Sequence, residues 1–354
     1  MASVVKRLRE CDSQFRTVVA VTAQHREMLD QVLDLFEIVP DHDLDMMSPG
    51  QSLTQMTTRT LDGLAPIIER ERPDAVLVQG DTTTTFAAAL SAFYHRVPVG
   101  HVEAGLRTHD LARPFPEEGN RSLTTRISRW HFAPTSLAQS HLLSEGVDPA
   151  TVFITGNTVI DALLTTTTKP HEFIEGPVAR ALSSGRRIIL VTAHRRENWG
   201  EPFREICLAV SDLVNAFDDV HVLFATHLNP LVSDVAREIL GGVDRVDLLG
   251  PLEYLPFVKL MEASTLILSD SGGVQEEAPS LGKPVLVLRD VTERPEAVDA
   301  GVVRLVGTDR VTIVNAATSL LRDAAAYDAM ALRANPFGDG HAAERIVDVL
   351  AADA

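Results

Sequence analysis

The chain is short of cysteine and of basic charge, and each shortage removes a class of function. Cys11 and Cys207 are its only cysteines. Two thiols without metal-ligand spacing exclude a zinc ribbon or a disulfide scaffold and suit a reducing cytosol. Lysine stands only at Lys6, Lys169, Lys259 and Lys283, and acids outnumber bases to a formal net charge of −17. That balance argues against a general nucleic-acid or anionic-membrane surface, so an anionic ligand would need a local group of arginines. No apolar run reaches the ~20 residues of a membrane helix, and residues 1–12 (MASVVKRLRECD) lack the continuous apolar core of an export signal. Walker A and GxGxxG sequences are also missing, which weakens NTPase and nicotinamide readings.

What the chain does have is length, apolar content and alternation. Its 354 residues, 45% apolar, exceed one ordinary core and predict two domains. Apolar runs expected as strands fall at 15–22, 75–79, 98–102, 131–134 and 152–155, then at 188–192, 220–225, 246–249, 264–269, 285–288 and 303–306. Helical patterns alternate with them, at 3–10, 25–36, 52–70, 86–95, about 120–128 and 203–217, and from 231 and 254. The pattern predicts an α/β chain of two Rossmann-like domains, residues 1–160 and 186–335, joined by a linker at 161–185 and followed by a C-terminal helix in 336–354. In such sheets ligands bind beyond the strand C-termini, so a cleft between the two domains is expected to hold the substrate.

Residues 264–277 (STLILSDSGGVQEE) read as strand, tight turn and helix start. The helix N-terminus attracts phosphate, and Gly272 and Gly273 let the backbone approach a ligand closely. One turn on, Glu277 is placed to meet a pair of ribose hydroxyls. The tetrapeptide Asp270-Ser271-Gly272-Gly273 matches the DSGG of serine proteases, but that motif belongs to an all-β fold, and Ser271 lacks a GxSxG elbow. In the first half, acids follow strand ends: Asp81 after 75–79, Glu103 after 98–102, and Glu117 at the close of the loop 109–120 (HDLARPFPEEGN). His194, beside Arg195 and Arg196, could bring positive charge to a diphosphate. His101, Glu103, His109 and Asp110 fit no standard metal spacing. From chemistry alone the chain reads as an enzyme acting on a nucleotide sugar.

The segments GDTTTT (80–85), GHVEAGLRT (100–108), PEEGNR (116–121), GNTVIDAL (156–163), HRREN (194–198), EYLPF (253–257), SDSGGVQEEAPSLGKPVLVLRDVTERPEA (269–297) and NPFGDG (335–340) resemble, in order, the non-hydrolysing UDP-N-acetylglucosamine 2-epimerase family. The resemblance implies a GT-B-like fold whose last helix crosses back to the first domain. It also implies a cytoplasmic homodimer that interconverts UDP-GlcNAc and UDP-ManNAc for cell-surface polysaccharide, with no metal and no nicotinamide or other cofactor. The implied mechanism is anti elimination of UDP to 2-acetamidoglucal and re-addition, with Asp81, Glu103 and Glu117 as acid/base candidates and His194 assisting the diphosphate. Ser271, Gly272 and Gly273 would hold phosphate, Glu277 the ribose, Phe257 the uracil, and Arg294 the diphosphate or sugar side. A regulatory second substrate site is matched at Gln24, His194 and Arg195.

Some positions depart from the family pattern. Its members open with a strand and a GTRPEAIK-like loop, and residues 1–6 correspond to the stretch immediately after that loop, so the native chain is expected to carry roughly fifteen more residues, as a strand plus loop needs. Gly119 stands where alanine is frequent, His109 where glycine is, and Gly50 where some members have arginine. Three rival readings share part of this inventory: a hydrolysing 2-epimerase, a GT-B glycosyltransferase, and a non-catalytic nucleotide-sugar-binding protein lacking the basic loop.

Overall fold

Buried parallel strands read as short apolar runs because both their faces are covered. The computed structural model, which describes residues 1–22, 26–46, 50–226 and 229–353, assembles such runs into separate sheets in two units, residues 1–162 with 337–354 and residues 163–336.

In the first unit a four-stranded parallel sheet runs in sequence order through β3 (Val76–Gln79), β4 (Val99–Val102), β5 (Trp130–Ala133) and β6 (Val152–Ile154). The run 15–22 does not join it. Only Ala20–Val21 (β1) is strand, and it pairs with His42–Asp43 (β2) in a separate two-stranded sheet where Ala20 is exposed. β-favouring composition marked the segment as extended but carried no information about its partner. The threonines after β3 divide their labour: Thr82 caps the helix Thr83–Tyr94 by accepting from Thr85 N at 3.2 Å, and Thr85 Oγ1 donates to Gln79 O at 2.7 Å.

Residues 337–354 complete this unit. The helix Ala342–Ala352 packs on the helix Ala2–Glu10, with Val4, Leu8, Ile346, Val347 and Leu350 closing over Trp130 and Phe132. Its first turn is held by Asp161, whose carboxylate accepts from Ala342 N (3.2 Å) and Ala343 N (2.8 Å). Nearby, Asn157 N donates to Phe337 O at 2.6 Å, and Gly156 at φ +85° lies against Gly338 so closely that an added Cβ would sit 3.3 Å from its Cα.

The second unit has six parallel strands: β7 (Arg187–Thr192), β8 (Val220–Ala225), β9 (Val246–Leu249), β10 (Leu266–Ser269), β11 (Val285–Val287) and β12 (Val303–Leu305). Their order is β12-β11-β10-β7-β8-β9, so the winding reverses between β7 and β10. A reversal of this kind leaves a crevice at the strand C-termini where ligands bind in open α/β sheets. Phe203, Ile206, Leu213, Phe224 and Leu268 are among the buried residues that fix the sheet to its helices. Residues 163–185, expected as a linker, belong to this unit. They hold the end of the helix Thr158–Thr167 and the helix Gly176–Ser183, and Lys259 Nζ donates to Thr167 O at 2.5 Å. None of the described helices is long and apolar enough to cross a membrane.

Candidate functional site

The loop after β7 and the turn after β10 flank the switch point of the second sheet. Between them lies Asp270, fully buried. Its Oδ2 accepts from His194 N at 2.9 Å, Arg195 N at 2.8 Å and Asn198 Nδ2 at 3.0 Å, and Asn198 Nδ2 also donates to Leu288 O at 3.0 Å. One carboxylate oxygen therefore folds residues 194–198 around itself and ties them to the end of β11. The other oxygen, Oδ1, lies 3.7 Å from His194 Nδ1. Trp199 Nε1 secures the loop from outside through His194 O at 3.2 Å.

Beyond Asp270, Ser271 is the N-cap of the short helix Gly272–Glu277, and its side chain makes no capping bond to that helix. A Cβ on Gly272 would lie 3.6 Å from Arg195 Nη2 and 3.7 Å from Arg294 Nη2, so two guanidinium groups flank this turn. Arg294 is held by the Glu276 carboxylate through Nε, and its N–H donates to Thr292 Oγ1 at 3.1 Å. Thr292 donates to Gln275 Oε1 at 2.5 Å, and Gln275 Nε2 returns to Ser271 O at 3.1 Å. Local positive charge of this kind is what a chain with a large net negative charge needs in order to bind an anion.

Glu277 is buried, and Tyr254 Oη donates to its Oε1 at 2.5 Å. Burial pushes the carboxyl up from its ordinary 4.5 to about 7, against the Tyr254 hydrogen bond, and the neighbouring Glu276 charge adds to the rise. Burial and the Glu277 charge push the Tyr254 hydroxyl up as well. Phe257, half-buried, follows one turn after Tyr254 on the helix Tyr254–Ala263, so the two share a face.

In the first unit the acids gather at the ends of β3 and β4. Gly80, at φ +75°, turns the chain out of β3, and a Cβ there would lie 3.9 Å from Glu103 Oε2. Gln79 Nε2 donates to that same Oε2 at 3.2 Å. Glu103 itself sits at φ +64°, a left-handed conformation uncommon for a residue with a side chain. Gly80 and Asp81 are held at three atoms in succession. His101 Nε2 donates to Gly80 O at 2.8 Å, Asn120 Nδ2 donates to Asp81 O at 2.9 Å, and Arg121 Nη2 pairs with Asp81 Oδ2. His101 is fully buried, and burial lowers its pKa to about 4, so the neutral ring carries its proton on Nε2, toward the carbonyl.

The helix expected from about 120 begins earlier and spans Glu117–Ile127, so Glu117 and Glu118 occupy its first turn, where the dipole favours acids. The two differ sharply. Glu118 is buried, accepts from Thr108 N (3.1 Å) and His109 N (3.0 Å), and lies 3.4 Å from Arg121 Nη1. Glu117 is half-buried, and its carboxylate has no hydrogen bond or ion pair among the described residues. It lies four residues before Arg121, the residue that pairs with Asp81.

Asp81, Glu103 and Glu117 thus lie together in the first unit, while His194, Arg195, Phe257, Ser271, Gly272, Gly273, Glu277 and Arg294 lie in the second. Gln24 is outside the described residues. Among the described residues, no three His, Cys, Asp or Glu side chains converge as a metal site. Asn198, Tyr254 and Arg121 had no site role legible in the sequence, and Asp270 and His101 stood out only as part of a protease-like tetrapeptide and of an unmatched metal set. Each acts on a partner distant in the chain, and only the adjacency of strands could have pointed to them.

Two Rossmann-like units, one with a switch-point turn between arginines and the other with acids at its strand ends, define an α/β enzyme of the GT-B-like class. The sequence model of the UDP-N-acetylglucosamine 2-epimerase family matches residues 7–351, and the chain belongs to that family. It is 54% identical over 355 residues to the UDP-N-acetylglucosamine 2-epimerase of Escherichia coli K12, covering 99% of this chain and 94% of that protein. The Yersinia pestis enzyme of the same name is 53% identical, with the same coverage. Among solved structures, the UDP-GlcNAc 2-epimerase of Neisseria meningitidis bound to UDP-GlcNAc superposes with a TM-score of 0.87 at 49% identity, covering 99% of this chain and 95% of that one.

Proposed function

We propose that the protein interconverts UDP-GlcNAc and UDP-ManNAc by inverting C2 of the sugar. The observation that carries this reading is the acid set of the first unit, in which Arg121 holds Asp81, Gln79 holds Glu103, and Glu117 opens the helix that carries Arg121. Such chemistry needs one carboxylate to take the C2 proton as the C1–O bond to UDP breaks, which leaves a C1=C2 double bond in 2-acetamidoglucal. It needs a second acid to return a proton to the opposite face as UDP adds back to C1. Ser271, Gly272 and Gly273 would cradle the diphosphate between Arg195 and Arg294, with His194 assisting its departure. Glu277 would take the ribose hydroxyls and Phe257 the uracil, and Arg195 with Gln24 would serve a regulatory second substrate site. A homodimer in the cytoplasm supplying ManNAc for cell-surface polysaccharide completes the reading.

The test is proton NMR of the chain with UDP-GlcNAc in D2O. UDP-ManNAc carrying deuterium at C2 is the expected product. Free ManNAc with UDP would instead mean hydrolysis, sugar transfer only on adding an acceptor would mean a glycosyltransferase, and UDP binding without turnover would mean a binding protein.

The ribose assignment predicts a pH dependence. Hydroxyl donors favour the ionised Glu277, whose carboxyl burial pushes up to about 7. UDP-GlcNAc affinity is therefore expected to rise about tenfold between pH 6 and 8, because the ionised fraction rises by that factor. Its diphosphate diester stays ionised throughout. Calorimetric titrations with Glu277→Gln should show a flat profile, and an equally steep one would remove Glu277 from the ribose. The folded-state value lies above that of an unfolded chain. The neutral group's contribution to stability is thus full below the ordinary carboxyl range and lost as pH climbs through about 7.

A further inference from the structure

Asp270 has an asymmetry that loop anchoring does not account for. Its Oδ2 already receives three donors, while Oδ1, equally shut off from water, has no hydrogen-bond partner among the described residues. A buried carboxylate oxygen without a donor is unfavourable and calls for an explanation. The group facing it is the His194 ring, with Nδ1 at 3.7 Å, and that side chain is 41% exposed while Asp270 is 0% exposed. One end of the imidazole thus looks into the protein and the other outward, beside the turn that Arg195 and Arg294 flank. A separation of 3.7 Å exceeds a hydrogen bond by less than ~1 Å, and such contacts often tighten only when substrate arrives.

From this the geometry points to Asp270 as the positioning residue for His194. Oδ2 fixes the backbone of residues 194–195, and Oδ1 receives Nδ1–H, so that Nε2 is directed outward to the departing diphosphate. The inference rests on the epimerase reading for what Nε2 does, but the tautomer it assigns is a property of the resting protein. Nδ1 keeps its proton throughout. When substrate places its diphosphate anion against Nε2, the ring takes a proton from solvent to become imidazolium, donates Nε2–H to the diphosphate oxygen as the C1–O bond breaks, and recovers that proton when UDP adds back. A carboxylate does this work better than an amide, because an Asn carries no charge to support the imidazolium and could turn its NH2 toward the ring, leaving Nδ1 without its proton.

The first test needs no variant at Asp270. Long-range proton–nitrogen spectra of the protein labelled with 15N-histidine, with the His194 signals assigned by their loss in His194→Gln, are expected to show Nδ1 protonated and Nε2 bare at pH 8. A bare Nδ1 would overturn the proposal, whether or not the protein epimerises. In Asp270→Asn the ring is expected to switch tautomer and kcat to fall about 10²-fold to 10⁴-fold, the range for a misdirected catalytic imidazole, while UDP affinity stays within about threefold. Combined with His194→Gln, the Asn variant should cost no further kcat. A full additional loss in the double variant would assign Asp270 to scaffolding alone.

Discussion

Replacing Asp81 with Asn is expected to lower kcat about 10²-fold to 10⁴-fold, the usual contribution of a positioned acid or base, while leaving UDP binding within a few fold. Folding should survive, because the local structure is held by groups that the substitution keeps. Asn120 Nδ2 still finds the backbone carbonyl of residue 81, His101 still donates to Gly80 O, and the new amide oxygen can accept from Arg121 where Oδ2 did. The amide cannot carry the proton. UDP binding should be spared because the residues proposed to hold it belong to the other unit. The measurement is turnover by NMR beside calorimetric UDP binding on one preparation. Turnover within fivefold of the parent would take Asp81 out of the mechanism. Loss of both signals would instead show a folding defect.

Gly105→Ala is expected to cost a large share of the stability of the first unit through a single methyl group. Gly105 lies at φ +91°, and a Cβ there would stand 2.3 Å from Ala138 O and 2.8 Å from its carbonyl carbon. Those atoms are backbone of the helix Ser136–Ser144 at its buried Ala138, and the helix meets the turn again where His141 Nδ1 bonds Gly105 O at 3.0 Å. Neither side can give way by rotating a side chain. Left-handed strain of about 1–2 kcal/mol and overpacking of about 1–3 kcal/mol together predict a fall in Tm of roughly 5–10 °C. Glu103 lies two residues upstream in the same turn, so turnover should drop with stability. Gly119→Ala is the contrast: it lies inside the helix Glu117–Ile127 with nothing within 4 Å of the added carbon, and helix propensity predicts a gain of up to ~1 kcal/mol. Thermal unfolding of both variants decides the matter, and a Gly105→Ala protein that melts with the parent would refute the packing argument.

The alternation of strand and helix was readable because each buried strand of these sheets is a run of apolar residues bounded by turns. Leu266–Ser269 and Val220–Ala225 stand out without any knowledge of their neighbours. The helix Ser136–Ser144 did not stand out, since only Ala138 and Leu142 along it are buried and its remaining residues carry no period. Glu103 and Asp81 could be found as acids just past strand ends, a rule that depends on position in a βα unit. The distinct duties of Glu117 and Glu118 could not, because adjacent and identical residues differ only in what their helix turns toward the loop at Thr108 and His109. Asp270 was visible, but only as part of a tetrapeptide that points to an unrelated protease. Its role depends on β7 and β10 being neighbours, which no local signal states.

The first unit draws its helix Ala342–Ala352 from the far end of the polypeptide, and this sets an order of events on the ribosome. Residues 163–336 are contiguous and can acquire their whole core as they emerge. The earlier-made residues 1–162 cannot, since Ile346, Val347 and Leu350, which cover Phe132 and Leu8, have not yet been synthesised. At ~5–20 residues per second the intervening segment delays them by roughly 10–40 s. During that interval an apolar face of the half that carries the acids stays open to water and to chaperones, so the part of the enzyme translated first is the part that matures last.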